Sequence, residues 1–246
     1  MFKLFYESFK ITNKSIILVT PLIVFCTLFV LYYSYLISET DSVPKHIFSI
    51  VTIFIVVSGF MGSWLYSVKK GLVLSKQVYI FDSERNKALL SIFKHLLNGF
   101  GRLLLPCSGF IALNIILYIV IFSGIACLIV NFPALKSQTP LIWLSVFYIY
   151  TFLTILWLPE IVYNEKNALY ALVNSVIKVF TQFRETLTLY IFIFAIFTAI
   201  LALLFKYIAI HPIVSFLLIM VLYYVIMYIV VLLFTYYEQR FINPEK

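Results

Sequence analysis

Six long apolar segments dominate the pattern of hydrophobic and polar positions along the chain. Each holds about 20 mostly apolar residues, the length that an α-helix needs to cross the hydrocarbon core of a membrane. Pro106 falls in the first turn of the third segment, where a helix tolerates proline. We therefore predict an all-α, polytopic membrane protein with six transmembrane helices. The predicted spans are Ser15–Ile37, Ile47–Val68, Leu103–Val130, Leu141–Leu158, Thr186–Phe205 and Ile213–Tyr236.

Three further stretches combine an apolar face with a polar reverse. Their apolar residues recur at the i, i+3, i+4, i+7 spacing that is typical of helices lying in the membrane interface. Each stretch precedes a pair of spans, so we predict three hairpins, each preceded by a cytoplasmic interfacial amphipathic helix. The apolar positions are Phe2, Phe5, Tyr6 and Phe9 in the first stretch, Leu89, Ile92, Phe93, Leu96, Leu97 and Phe100 in the second, and Leu169, Leu172, Val173, Val176, Ile177 and Phe180 in the third.

The second and third stretches are similar to each other. Their apolar positions coincide when one is shifted by 80 residues, and Glu84–Leu89 resembles Glu165–Leu169 just before them. One interpretation is a single membrane domain, 1–246, built from repeat units 1–68, 84–158 and 165–240. The other is that two unrelated amphipathic helices superpose once a shift has been chosen.

The composition indicates a membrane location, and the distribution of charge predicts the orientation of the chain in the membrane. The chain is 63% hydrophobic and 11% charged, whereas a soluble domain carries about 25% charged residues. Fifteen of its 18 Lys and Arg residues lie on the side of both termini, which predicts that this side is cytoplasmic. We expect a multi-pass protein of the bacterial cytoplasmic (inner) membrane. The net charge of +8 then faces anionic inner-leaflet lipids rather than nucleic acid, because no soluble nucleic-acid-binding module accompanies it.

The sequence offers little catalytic chemistry. It contains no glycine-rich phosphate-binding loop and no paired carboxylates placed for acid–base work. The three histidines, His46, His95 and His211, have no second ligand at a metal-binding spacing. We therefore expect a protein that is not an enzyme and that holds neither a cofactor nor a metal.

A few polar residues remain as candidates for binding. We expect Glu160, beside Pro159 at the inner end of the fourth span, to be an interfacial carboxylate that reaches water; the alternative is a contact to a cation or a lipid headgroup. Asn114, a buried polar group, would make an interhelical hydrogen bond or, alternatively, line a polar pathway. The candidate contacts to inner-leaflet lipids or to a partner are Lys69, Lys70, Lys94, Arg102 and Glu160.

The C-terminal half resembles uncharacterised bacterial six-helix integral membrane families, and the membrane domain attached to some glycerophosphodiester phosphodiesterases. The resemblance covers roughly Trp157–Gln239 and implies a fold and a membrane location. It implies no activity, since the chain contains no phosphodiesterase domain. The residues that carry it are Leu158-Pro159-Glu160-Ile161-Val162, Asn164-Glu165, Ala168, Ala171, Ser175, Phe180, His211-Pro212 and Tyr236-Tyr237-Glu238-Gln239.

Two functions fit these patterns. The leading hypothesis is a non-enzymatic membrane protein that interacts with lipids, or serves as an accessory or scaffold to a membrane partner, through its amphipathic helices. The alternative is a permease subunit of an ATP-driven transporter, in which the segment Lys69–Arg102 or Asn164–Arg184 would dock an ATPase partner.

Overall fold

The computed structural model describes residues 1–39, 43–77, 82–93, 96–165, 167–207 and 212–243. These residues are almost entirely helical and include no strand. Short 3-10 turns precede α2 and α6, and a π-helical turn, Glu238–Ile242, follows α10. The α-helices are α1 Phe2–Lys14, α2 Val19–Glu39, α3 Val43–Ser75, α4 Asp82–Ile92, α5 Leu96–Asn131, α6 Thr139–Thr154, α7 Trp157–Asn164, α8 Ala168–Thr181, α9 Phe183–Tyr207 and α10 Pro212–Tyr237.

Six helical segments in the described residues are long and apolar enough to cross a membrane, which confirms the predicted number of spans. All six overlap the spans expected from the sequence. The third is longer than predicted, because α5 begins at Leu96 and places Pro106 in the helix interior rather than in its first turn. The segments are Ile16–Tyr35, Phe48–Ser75, Leu96–Asn131, Lys136–Asn164, Phe183–Tyr207 and Ile213–Ile242.

The second predicted amphipathic stretch is divided between two helices. Leu89 and Ile92 lie in α4 and are buried, whereas Leu97 lies in the first turn of α5 and is 81% exposed. The first and third stretches each form one helix, α1 and α8. The stretch therefore does not form one continuous helix, because residues from Leu96 onward continue the third span.

α3 and α5 pack at very short range because glycines line their contact. At Gly99, a Cβ atom would lie 2.8 Å from the Cβ of Tyr66 and 3.1 Å from the Cα of Ser63. At Gly62, it would lie 3.0 Å from the Cβ of Leu103. Small residues allow this approach between membrane helices, so Gly62 and Gly99 have a direct structural role.

The most deeply buried side chains lie at one end of the helix bundle. Here the first residues of α2, α5 and α9 lie beside the last residues of α3 and α10. The helices α1, α7 and α8 pack against these ends. Further along the spans, many apolar side chains are exposed, as Leu31 and Phe122 are at 63% and 62%. The molecule is therefore closely packed at this end, which we call the packed end. Its fully buried large side chains include Leu18, Leu65, Leu72, Leu103, Leu156, Trp157, Phe234, Tyr236 and Tyr237.

Candidate functional site

A buried carboxylate, that of Glu160, joins three helices at the packed end. Its side chain is 0% exposed. Its Oε2 accepts a hydrogen bond of 2.6 Å from Nζ of Lys178 in α8 and a short one from the hydroxyl of Tyr237 in α10. Its Oε1 accepts hydrogen bonds from the side-chain amides of Asn164, at 2.6 Å, and Asn174, at 3.2 Å. We call these five residues the Glu160 cluster.

Local helix-ending signals bring α7 and α8 together around this carboxylate. α7 begins at Trp157, with Pro159 in its first turn, where the missing amide removes no helical hydrogen bond. The chain leaves α7 at Glu165, whose φ of 50° is left-handed, as is common at helix C-termini. The side chain of Asn167 then caps α8 by accepting a hydrogen bond of 3.0 Å from the backbone amide two residues later. These two signals end α7 at Asn164 and begin α8 at Ala168.

The arrangement suits a structural tie between helices. Burying a carboxylate is costly unless it is paired and hydrogen-bonded. Glu160 has one cationic and three neutral donors, and these occupy both of its oxygens. The expectation that this carboxylate reaches water is therefore wrong, because α8 and the end of α10 cover it and supply its hydrogen bonds.

The structure separates the basic residues that the sequence grouped together. Lys69 donates a hydrogen bond of 2.8 Å to the backbone carbonyl of Val162 near the end of α7. Arg102 forms an ion pair of 3.6 Å with Glu165, just beyond the same helix end. A cation near the last carbonyls of a helix is favourable, so both residues hold α7 against α3 and α5.

The other predicted contacts differ from these two. Nζ of Lys70 lies 5.6 Å from the ring centroid of Tyr66, on the side of α3 that lines an open cavity. Lys94, His95 and His211 lie outside the described residues. Of the predicted basic contacts that are described, Lys70 is therefore the one without a link to α7.

Asn114 makes the expected interhelical hydrogen bond. Its Oδ1 accepts from the hydroxyl of Tyr150 in α6 at 2.5 Å, and its Nδ2 donates to the carbonyl of Phe110 at 2.8 Å. Both the oxygen and the nitrogen of the side-chain amide therefore form hydrogen bonds. The half-buried Asn114 thus forms a hydrogen bond between α5 and α6, in agreement with the interhelical alternative.

Sequence reasoning missed the partners of Glu160. The sequence pattern places Asn174 and Lys178 on the polar reverse of the third amphipathic stretch, and Tyr237 just after the sixth predicted span. In the structure, Asn174 and Lys178 share the inward side of α8 with the small residues Ala171 and Ser175, which are 0% exposed. A signal was present, because these four residues recur at the i, i+3, i+4, i+7 spacing of one helical side. Small residues on a polar side of a helix indicate that this side packs against protein.

The opposite side of α8 is an exposed apolar face. We call it the α8 apolar face. Its side chains are 53–60% exposed, an unusual state for so many large apolar side chains on one short helix. In this helix the polar side faces protein and the apolar side faces outward. The face consists of Leu169, Tyr170, Val173, Ile177 and Phe180.

The comparisons with known proteins assign no family to the chain. No protein-family model, curated protein or solved structure matches it. The resemblance of Trp157–Gln239 to a bacterial membrane domain therefore stays a prediction. Within the described ranges, no three His, Cys, Asp or Glu side chains lie close enough together to hold a metal ion.

Proposed function

We propose that this chain is a non-enzymatic integral membrane protein of the bacterial cytoplasmic membrane that binds anionic lipids of the inner leaflet at its packed end. In this proposal, both termini are cytoplasmic, the six spans form three hairpins, and α1 and α8 lie at the inner interface. An accessory or scaffold role toward a membrane partner would use the same surface.

Contacts between the ends of successive spans support the hairpin arrangement. The indole of Trp64, near the end of the second span, donates to the carbonyl of Leu18, near the start of the first, at 3.0 Å. The hydroxyls of Thr186 and Tyr236, at the start of the fifth span and near the end of the sixth, lie 3.0 Å apart. Antiparallel neighbours bring such ends together, and short connections favour them.

The α8 apolar face is the observation that carries the proposal. A helix that holds its polar residues inward, around Glu160, and turns large apolar residues outward needs an apolar environment on that side. Acyl chains near the inner interface supply one, and the basic residues of the same end add attraction to anionic headgroups. Lipid binding would account for basic residues and exposed apolar side chains occurring together at the packed end.

Lipid retention measures this function directly. The full chain is reconstituted in nanodiscs of mixed phosphatidylglycerol and phosphatidylcholine, extracted, and analysed by native mass spectrometry. We expect phosphatidylglycerol to be retained over phosphatidylcholine, and the preference to fall with added salt, because surface electrostatics are screened. Equal retention of the two lipids would overturn the proposal.

A matched control tests which end carries the preference. Lys136 and Lys206 lie at the opposite ends of the spans from Glu160, so the variant K136Q/K206Q removes positive charge far from the packed end. We expect this variant to retain phosphatidylglycerol as the native chain does. Copurification of the native chain with an ATPase, together with equal lipid retention, would favour the permease-subunit alternative.

A further inference from the structure

A small cavity opens between α1 and α4 at the packed end. Its volume is about 330 Å³, and its lining combines three basic side chains with one amide and two aromatic rings. Among the described residues, no carboxylate belongs to the lining. We call it the α1–α4 cavity, and its lining residues are Tyr6, Phe9, Lys10, Asn13, Lys14 and Arg85.

The polar groups of this cavity have hydrogen-bond donors to spare. Arg85 is paired through Nη1 with Asp82 at 2.8 Å, but its Nε is buried and has no hydrogen-bond partner among the described residues. No carboxylate of the described residues forms an ion pair with Lys10 or Lys14. Oδ1 of Asn13 accepts a hydrogen bond of 2.6 Å from Tyr224, which leaves its amide hydrogens free to donate. Such a set of donors is complementary to an anion.

The neighbouring cavity provides an internal comparison. It has a volume of about 500 Å³, and it shares Lys10 and Lys14 with the α1–α4 cavity. Two carboxylates, those of Glu7 and Glu238, also line it, and Lys76 pairs with Glu238 at 2.8 Å. Its lining therefore carries a net charge of +1, whereas the lining of the α1–α4 cavity carries +3, or +2 when Asp82, the partner of Arg85, is included.

Aromatic side chains next to the donors make the cavity amphipathic. Tyr6 and Phe9 are 69% and 48% exposed, and both lie on α1 beside Lys10. The ring of Phe9 packs edge-on against Tyr224 and Tyr228, with centroids 6.4 Å apart in each case, which holds it in position. An anion that also carries an apolar chain would use both parts of this lining.

We propose that the α1–α4 cavity binds the phosphate ester of an anionic phospholipid. Lys10, Lys14 and Arg85 hold the phosphate, and the acyl chain lies along Phe9 and Tyr6. This inference rests on the proposed function, since it gives lipid binding at the packed end a defined site. Inorganic phosphate shares the charge and the acceptor oxygens but lacks the chain.

The test compares two triple variants that remove equal charge from the same end. K10Q/K14Q/R85Q removes the cavity cations, and K3Q/K87Q/R184Q removes three exposed cations outside the cavity. Retention of phosphatidylglycerol is measured in nanodiscs as above, and inorganic phosphate at the same total phosphate is the second probe. Thermal unfolding of each variant verifies that it is folded.

We expect the cavity variant to lose at least about tenfold more affinity for phosphatidylglycerol than the control variant, since each basic residue near anionic lipid contributes several-fold. Weak or undetectable binding of inorganic phosphate would support a lipid site, and equal binding of both probes would reassign it to free phosphate. Native-like retention by the cavity variant would overturn the cavity while leaving the proposed function intact. A native chain without any preference for phosphatidylglycerol would instead overturn the proposed function.

Discussion

The Glu160 cluster and the α1–α4 cavity differ in whether their charged groups have partners within the protein, although both lie at the packed end. In the cluster, a carboxylate that is 0% exposed meets Lys178 at 2.6 Å and three neutral donors. In the cavity, the described lining includes Lys10, Lys14 and Arg85 but no carboxylate, and only Arg85 has an ion-pair partner among the described residues. The first region satisfies its charge internally, and the second leaves donors free.

This difference indicates which charges hold the fold and which are available to a ligand. A buried ion must find its partners within the protein, because water no longer solvates it. Partly exposed cations keep their hydration and need no internal partner, so they can meet an external anion. Lys69 follows the first pattern through its hydrogen bond to the carbonyl of Val162, whereas Arg102 and Glu165 form an exposed ion pair.

The largest expected effect comes from breaking the buried region. Glu160→Ala removes the carboxylate and leaves Lys178 half-buried without its anionic partner. We expect a loss of about 3–5 kcal/mol in the free energy of unfolding. The loss is measured by denaturant titration in detergent micelles, with the fluorescence of the neighbouring Trp157 as the signal.

Two controls sharpen this result. Glu165→Ala breaks the exposed pair with Arg102, and we expect it to cost no more than about 1 kcal/mol. Lys178→Met should cost less in the Glu160→Ala background than in the native chain, because the two groups act together. Equal losses for Glu160→Ala and Glu165→Ala would show that burial of the cluster contributes nothing to stability.

The next largest effect separates packing from charge. Gly99→Ala places a Cβ 2.8 Å from Tyr66 and 3.1 Å from the Cα of Ser63, so α3 and α5 must move apart at a cost of about 1–3 kcal/mol. Gly101→Ala in the same helix meets nothing within 4 Å and should stabilise the helix by up to about 1 kcal/mol. The measurement is again unfolding in micelles. A destabilising Gly101→Ala would contradict the open surroundings of Gly101, and a Gly99→Ala variant as stable as the native chain would contradict the close contact of Gly99.

The smallest effect tests a neutral hydrogen bond outside both regions. Asn114→Leu removes the bond to Tyr150, and we expect a loss of about 0.6–2 kcal/mol in the free energy of unfolding. Tyr150→Phe removes the same bond and should not add to it in the double variant. Phosphatidylglycerol retention should stay at the native level in both. A loss as large as that of Glu160→Ala would remove the distinction between charged and neutral links.

The spans were predictable because membrane crossing depends on length and hydropathy, which are local properties. The link made by Asn114 was predictable for a related reason, since a polar amide in a span needs a partner. The orientation of α8 was not predictable in the same way. Its periodicity identified an apolar face and a polar face. Which of the two faces packs against the protein depends on the position of Glu160, which the periodicity does not give.

By itself, then, the sequence determined the helical class, the six spans and the one-sided distribution of basic residues. The first two follow from the composition of single segments, and the third from a count of Lys and Arg between the successive spans. Only the tertiary structure decided which charges are used internally, because Glu160, Lys178 and Tyr237 are up to 77 residues apart in the chain. It also brought Arg85 of α4 beside Lys10 and Lys14 of α1, a juxtaposition of charge that no local pattern contains.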